Sequence, residues 1–420
     1  MRPGKDAEPA RRSRPLPWVA GLLFLAALAV RLPLLTTVRS DLVIPHTRWE
    51  MEAIAWSLAE TGRFADPYAV PTGPTAHLPP AYPFLLSLVW RAFGLGPAGG
   101  YAGWIMGFTL ASLQCALLPW ISMRLGLGLA AGVIVGLVTA FSPQWPPFIE
   151  PPTAIALGLL MLAFRRRWMA GAATTTDSLL LGAGAGLAFH LQPALLPVVL
   201  ACLAFELWWL RGAPAPRRAS LVALAALVVC LPWAWRNWTE MGGVFFVRSN
   251  FGLELLVGNH EGALADIDEM AVSVDSLHPR GSVPEALRVR EMGEVAYMRE
   301  AGARARAWIA AHPGRYARLS AERALAFWTR HTNGAPYAIP ATFASLLGLL
   351  GAVRLLRGLT VPERAVLLIP LVTFPLVYYF VDYLPRYRMP VIWIVYLFAA
   401  AEVWHRIRRA TPTGETRTTR

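Results

Sequence analysis

Long apolar runs separated by short polar segments make up most of the chain. The clear runs cover residues 16–35, 102–123, 127–141, 153–164, 178–191, 193–210, 220–235, 341–353, 365–380 and 389–404. A straight membrane-spanning helix needs about 20 apolar residues, and shorter runs can cross where helices pack against protein. The pattern therefore predicts about ten membrane-spanning helices. A further run at 81–95 is interrupted by Trp90 and Arg91.

The composition strengthens this prediction. Hydrophobic residues make up 55% of the chain, charged residues only 15%, and the mean hydropathy is +0.44. A soluble domain carries about 25% charged residues. The 17 tryptophans suit a protein with two membrane–water interfaces. The expected class is an all-α integral membrane protein.

The placement of arginines predicts the topology. The formal net charge is +13, but the arginines cluster between apolar runs, which is the positive-inside pattern and not a nucleic-acid groove. With Arg11, Arg12 and Arg14 in the cytoplasm, the cluster at 165–167 also lies inside, provided that 81–95 is a helix in the outer interface. We expect a multi-pass protein of the bacterial cytoplasmic membrane with both termini cytoplasmic and no nucleic-acid partner.

This topology divides the chain into regions by side of the membrane. Residues 36–101 form a first outer loop with interfacial helices, and this loop is expected to carry the chemistry. The expected regions are a basic tail (1–15), a transmembrane bundle (16–235), a small outer helical subdomain (236–340), carboxy-terminal transmembrane helices (341–405) and a second basic tail (406–420).

The first outer loop holds a short amphipathic helix. Met51, Ile54 and Leu58 recur at helical spacing, and Gly62 can end the helix in the left-handed conformation. Such a helix holds Glu50 close to the bilayer, where its carboxylate could serve as a general base. Thr47 and Glu50 also fit a capping box, in which Glu50 only satisfies a backbone amide.

Other outer segments supply candidate substrate-binding residues. His77 lies among prolines, and Glu150 lies at the entrance of a span. His190 lies at the next outer turn, whereas Arg236 and Asn259 flank an aromatic, glycine-punctuated segment. His77 also has a structural interpretation as a hydrogen-bonding side chain, and Glu150 has one as a solvated side chain.

Arg386 and Arg388 lie in the last outer loop, against the positive-inside trend, with Tyr387 between them. Snorkelling to lipid head groups is one interpretation. The other is a phosphate clamp, because guanidinium groups bind phosphate oxygens in pairs.

The cysteines Cys115, Cys202 and Cys230 all lie in apolar runs without metal-ligand spacing. No metal site and no cofactor are predicted, and a divalent metal is left open.

Four motifs together resemble the GT-C glycosyltransferases, the family that includes protein O-mannosyltransferases and the aminoarabinose transferases of lipid A. The first runs from Glu50-Met-Glu-Ala-Ile-Ala through Gly62, Phe64 and Pro67. The others are Pro-Thr-Ala with Pro-Pro-x-Tyr-Pro at 74–83, Pro-Trp-x-x-Arg-Asn at 232–237 and Arg-Tyr-Arg-x-Pro at 386–390. The resemblance spans most of the chain.

The resemblance implies a transmembrane helical bundle whose active site faces outward. It implies transfer of a sugar from a polyprenyl-phosphate carrier, with inversion, to a lipid, glycan or protein acceptor. A first-loop acid then serves as the base. Many relatives carry Asp where this chain has Thr47. Glu50 is the nearest substitute, and the alternatives are Glu52, Asp41 and Asp66.

Two other classes stay open at this stage. A transporter or lipid flippase would be favoured by charged residues in mid-span, but the predicted spans are almost free of them. A noncatalytic envelope-assembly protein is compatible with Thr47 at the expected acid position.

Overall fold

The structure, a computed structural model, describes residues 17–37, 49–141, 149–171, 174–212, 214–270, 275–329 and 335–410. Its regular secondary structure is helical in these residues, apart from one isolated bridge between Ala65 and Pro74. The α-helices are α1 (Pro17–Arg31), α2 (Glu50–Thr61), α3 (Ala81–Phe93), α4 (Pro97–Arg124), α5 (Leu129–Phe141), α6 (Glu150–Ala170), α7 (Thr175–Leu191), α8 (Leu195–Trp209), α9 (Pro214–Met241), α10 (Phe251–Gly258), α11 (Val283–Met292), α12 (Glu294–Ala311), α13 (Pro313–Thr329), α14 (Ala335–Gly358), α15 (Val361–Thr373), α16 (Leu376–Phe380) and α17 (Met389–Ala410). Short 3-10 helices cover Leu32–Thr37, Ile267–Met270 and Pro385–Arg388.

The described part of each predicted apolar run is mainly helical, so the expected all-α class is confirmed. Five helical segments are long and apolar enough to cross a membrane, which is compatible with a multi-pass protein. They are Pro17–Thr36, Pro97–Arg124, Pro214–Met241, Val361–Phe380 and Pro385–Arg409. The count of about ten crossings stays a prediction.

Helix α3 has the form expected of an interfacial helix. It is 13 residues long, shorter than the roughly 20 that a span needs. Leu86 and Trp90 are buried on one face, whereas Phe84 and Leu88 are exposed on the other. This exposed apolar face gives α3 a surface that suits contact with lipid.

Small residues allow close helix crossings in the bundle. A Cβ atom on Gly182 of α7 would lie 2.3 Å from the carbonyl oxygen of Val222 in α9. At Gly351 of α14 it would lie 2.3 Å from the carbonyl oxygen of Phe398 in α17. Close backbone approach at small residues is typical of packing between membrane helices.

Helices α10 to α13 form a subdomain with its own apolar core, which includes Leu253, Tyr297 and Leu319. Tyr68 of the first outer loop and Val381 of the last outer loop belong to the same core. The subdomain therefore holds both loops in fixed positions next to one another.

A buried carboxylate fixes the segment that precedes His77. Glu294 of α12 accepts hydrogen bonds from the Thr75 hydroxyl, the Ser249 hydroxyl and the Ala76 amide, the last at 2.9 Å. Arg236 donates to the carbonyl oxygen of Thr75 at 2.6 Å. These bonds set the backbone from which His77 extends.

Candidate functional site

A cavity of about 350 Å³ lies between the first outer loop, the start of α6, the outer subdomain and the last outer loop. Its size falls in the range of small-molecule sites. Charged and polar side chains from all four segments and from the end of α7 line it, together with several apolar residues. They are Glu50, His77, Glu150, Gln192, Arg248, Glu254, Asp275, His278, Arg280, Arg386 and Tyr387.

Glu50 reaches the cavity from the first position of α2. The preceding residue, Trp49, is extended and makes no side-chain capping bond. In a capping box the glutamate is the third helical residue, so the capping interpretation does not describe Glu50 in this structure. Gly62 ends α2 with a φ of 77°, as predicted. Thr47 lies outside the described residues.

Two donors from the outer subdomain face the Glu50 carboxylate. Its Oε1 atom lies 3.5 Å from Arg280 Nε and 3.6 Å from His278 Nε2. The turn that carries both donors is tied to the first outer loop, because the Ala69 amide donates to the Pro279 carbonyl oxygen at 3.1 Å. The contacts leave the carboxylate open toward the cavity.

Glu50, His77 and His278 also bring potential metal-ligand atoms within 4.8 Å of one another. His77 suits such a role, since its Nδ1 is engaged by the Tyr68 hydroxyl at 3.0 Å and leaves Nε2 available. His278 does not, because its Nδ1 accepts the Arg280 amide at 3.1 Å. The neutral ring then carries its proton on Nε2, which makes it a donor toward Glu50 and a poor metal ligand. The geometry favours a carboxylate that faces two cationic or polar groups at ion-pair distance.

His77 is fully buried at the cavity wall. Burial lowers its pKa well below the ordinary value, and His278, when its ring is protonated, and Arg248 lower it further. His77 is therefore neutral at pH 7. A neutral imidazole can bind a polar substrate group without adding charge to the site.

Glu150 and Arg386 form the opposite side of the cavity. Arg386 NH1 lies 3.5 Å from Glu150 Oε1. The guanidinium carbon of Arg386 lies 5.9 Å from the ring centre of Trp49, and that of Arg280 lies 4.9 Å from it. Trp49 thus holds a guanidinium group from each side of the cavity by cation–π contact.

Arg248 and Glu254 complete the charged lining, with 3.2 Å between Arg248 NH2 and Glu254 Oε1. Sequence analysis missed both residues, as well as His278 and Arg280. The sequence pattern indicates Asn259 as the candidate substrate-binding residue of the polar segment that also contains Arg248 and Glu254. No spacing rule distinguished the side chains of that segment that face a cavity.

Several predicted residues have structural roles instead. His190 Nδ1 contacts the carbonyl oxygen of Gly186 in its own helix at 2.8 Å. Arg236 bonds loop carbonyl oxygens, and Asn259 donates to the Val381 carbonyl oxygen at 3.1 Å. Among the described residues, these three do not line the cavity.

Of the three residues predicted to bind the donor phosphate, two line the cavity and one does not. Arg386 and Tyr387 line the cavity, but Arg388 does not. Arg388 is completely buried, and its guanidinium nitrogens make no hydrogen bond with the described residues. The expected pairing of Arg386 with Arg388 around one phosphate is therefore not assembled, because side chains two positions apart in this 3-10 segment diverge.

The alternative bases are also outside the cavity lining. Asp66 has a φ of 58° and accepts the amides of Thr72 and Gly73 at 2.9 and 2.7 Å, which makes it part of a loop. Glu52 lies on α2 without reaching the cavity. Asp41 lies outside the described residues.

Comparison with solved structures finds a protein with a similar fold. No family model matches the sequence, and no curated protein matches it. Among solved structures, the apo oligosaccharyltransferase of Archaeoglobus fulgidus is similar, with a TM-score of 0.54 and 16% identity. The match covers 94% of this chain and 52% of that one, so the chain spans about half the length of the structure it matches. This likeness shows that the two proteins share a fold over most of this chain.

Proposed function

We propose that the protein is a membrane glycosyltransferase that moves a sugar from a polyprenyl-phosphate carrier to a lipid, glycan or protein acceptor. The reaction takes place on the outer face of the bacterial cytoplasmic membrane. One observation carries the proposal. The first-loop carboxylate of Glu50 and the guanidinium of Arg386 line the same cavity, although they lie at opposite ends of the sequence.

The cavity residues suit an inverting displacement. Glu50 takes the proton of the acceptor hydroxyl, and the oxygen attacks the anomeric carbon. The bond from that carbon to the phosphate oxygen breaks, and its electron pair leaves with the phosphate. Arg386 stabilises the charge that develops on the phosphate, since guanidinium groups form strong charge-assisted hydrogen bonds.

The other cavity residues take supporting roles in the proposal. Tyr387 accompanies Arg386 at the phosphate, and Arg280 replaces Arg388 as the second guanidinium. His77 and Glu150 contact the sugar or the acceptor. The cavity reaches α3 at Pro83, and the outer face of the same helix exposes Phe84 and Leu88. The polyprenyl chain is therefore placed beside α3.

The test is transfer by the purified full-length protein in liposomes supplied with radiolabelled polyprenyl-phosphate sugars and a total envelope extract as acceptor. We expect covalent transfer of label by the wild type. Replacing Glu50 by Gln removes the base and keeps the shape, so the rate falls about 10²–10⁴-fold. Glu60→Gln, on the exposed face of the same helix, is the matched control.

Three results would count against the proposal in different ways. Full activity in Glu50→Gln would remove Glu50 as the base. Movement of the labelled sugar across the bilayer without covalent transfer would favour a transporter. Absence of both activities with every labelled donor would favour a noncatalytic role.

A further inference from the structure

A second carboxylate, Glu254, faces the cavity from α10. Its side chain keeps 21% of its surface exposed, and it belongs to the cavity lining. Its Oε1 atom accepts hydrogen bonds from Asn250 and from Arg248, which lies 3.2 Å away. Arg248 also lines the cavity, so the partner that neutralises Glu254 is open to an incoming anion.

Asp382 of the last outer loop packs against α10 one turn beyond Glu254, because a Cβ atom on Gly258 would lie 3.1 Å from Asp382 Cβ. Its side chain is buried, and its Oδ2 atom makes no hydrogen bond with the described residues. Two carboxylates in a buried environment repel one another, which favours retention of a proton by one of them.

Burial and the surrounding charges together shift the pKa of both carboxyl groups. Burial raises the pKa of Glu254 to about 7, and the Asp382 charge adds to the shift. Burial likewise raises the pKa of Asp382 to about 6. Arg248 and His278 oppose the shift of Glu254, whereas Glu50 adds to it. Near neutral pH the pair therefore gains or loses a proton when one neighbouring charge changes.

We propose that the Glu254–Asp382 pair takes up a proton when a lipid-linked phosphate binds Arg248, and that Glu254 donates this proton to the departing phosphate. The inference rests on the proposed function. A bound phosphate competes for the Arg248 guanidinium and brings negative charge beside Glu254. Both effects disfavour the ionised carboxylate, so the bound state holds more protons than the free state.

The proton transfer balances with the reaction above. As the bond from the anomeric carbon to the phosphate breaks, the Glu254 proton moves to a phosphate oxygen. Glu254 ends as a carboxylate, and Glu50 ends protonated by the acceptor. The net charge of the two carboxyl groups is thus unchanged over the displacement, which avoids leaving two negative charges in a confined cavity.

The test is calorimetric titration of the full-length protein in detergent with farnesyl phosphate at pH 7.5, in two buffers of different ionisation enthalpy. The difference in heat gives the protons bound per lipid. We expect the wild type to take up roughly half a proton to one proton. Uptake should vanish below about pH 5, where both carboxyl groups are already protonated in the free protein.

Glu254→Gln should bind the lipid but take up less than about one fifth of the wild-type protons. Asp382→Asn is the second variant; it removes the repulsion, so uptake should also fall. Glu261→Gln, an exposed carboxylate of the same subdomain, should leave uptake unchanged. In the transfer assay, the wild-type rate should decline on the alkaline side, and this decline should be absent in Glu254→Gln.

The outcomes separate the two proposals. Lipid binding without proton uptake, or equal uptake in Glu254→Gln, would overturn the inference and leave the proposed function standing. Failure of the wild type to bind farnesyl phosphate would contradict the proposed function and the inference together. An alkaline decline that persists in Glu254→Gln would remove Glu254 as the proton donor.

Discussion

Two groups of charged side chains in this protein are organised in opposite ways. The first joins α6, α7 and α8, where Arg167 pairs with Glu206 through two hydrogen bonds of 3.0 and 2.5 Å. Arg167 also donates to the Ser178 hydroxyl at 3.0 Å, and Trp168 donates to Glu206 at 3.2 Å. Both charged side chains are almost completely buried.

The second group is the cavity, in which each cation faces a carboxylate at a longer distance. The three pairs are Arg280 with Glu50 at 3.5 Å, Arg386 with Glu150 at 3.5 Å and Arg248 with Glu254 at 3.2 Å. The three arginines keep 28–31% of their side-chain surface exposed.

The difference shows how similar residues serve two purposes. A buried pair whose hydrogen bonds are all made is rigid and has no capacity for a ligand. Loosely paired charges around a cavity keep their capacity to bind a phosphate or move a proton. The charged residues of the cavity are therefore the ones on which the proposed chemistry rests.

The largest expected effect on stability is at the first group. Glu206→Ala leaves Arg167 buried without its partner, so the free energy of unfolding should fall by about 3–5 kcal/mol. Glu50→Ala should lower it by less than about 1 kcal/mol, because Arg280 can turn toward water. Thermal unfolding in detergent measures both. Equal losses in the two variants would contradict the comparison.

The next effect is on donor binding at the cavity. Arg386→Ala removes a charge-assisted contact to phosphate, so the KM for the lipid-linked donor should rise about 10–100-fold. The melting temperature should change little. Initial rates at varied donor concentration give KM, and Arg318→Ala on the exposed face of α13 is the control. An unchanged KM would remove Arg386 from the phosphate site.

The smallest expected effect is an acid sensitivity from His77. Its pKa is lowered by burial, so below about pH 6.5 the unfolded chain binds a proton that the native state does not. Stability should therefore fall with decreasing pH by at most about 1.4 kcal/mol per pH unit. His77→Gln should reduce this loss between pH 6.5 and 5.5, measured by thermal unfolding. His312→Gln, on the surface, should retain it.

Local sequence patterns predicted the helices and part of the site. The spacing of Met51, Ile54 and Leu58 predicted α2, and Gly62 ends it as expected. The predicted outer loops contain acids, histidines and two arginines that depart from the positive-inside trend. This pattern predicts a site that includes Glu50, His77, Glu150, Arg386 and Tyr387. All of them line the cavity.

The differences between the predicted site residues and the residues that line the cavity share one physical cause. Arg386 and Arg388 differ little in sequence context, yet one faces the cavity and the other is buried. Asn259 and Glu254 lie in one segment, and only Glu254 lines the cavity. The direction of a side chain in an irregular outer segment depends on what packs against it, which no periodicity records.

The amino-acid sequence by itself determined the helical runs, and it predicts the membrane class and the candidate outer loops. These properties follow from the transfer of apolar segments out of water and from arginine placement, which act along the chain. Only the tertiary structure decided which charges meet. Arg386 and Glu150 are 236 positions apart, and their contact depends on how the helices pack. The same packing places His278, Arg280 and Glu254 around one cavity. Local sequence patterns did not predict this arrangement, because long-range contacts leave no signature in local sequence.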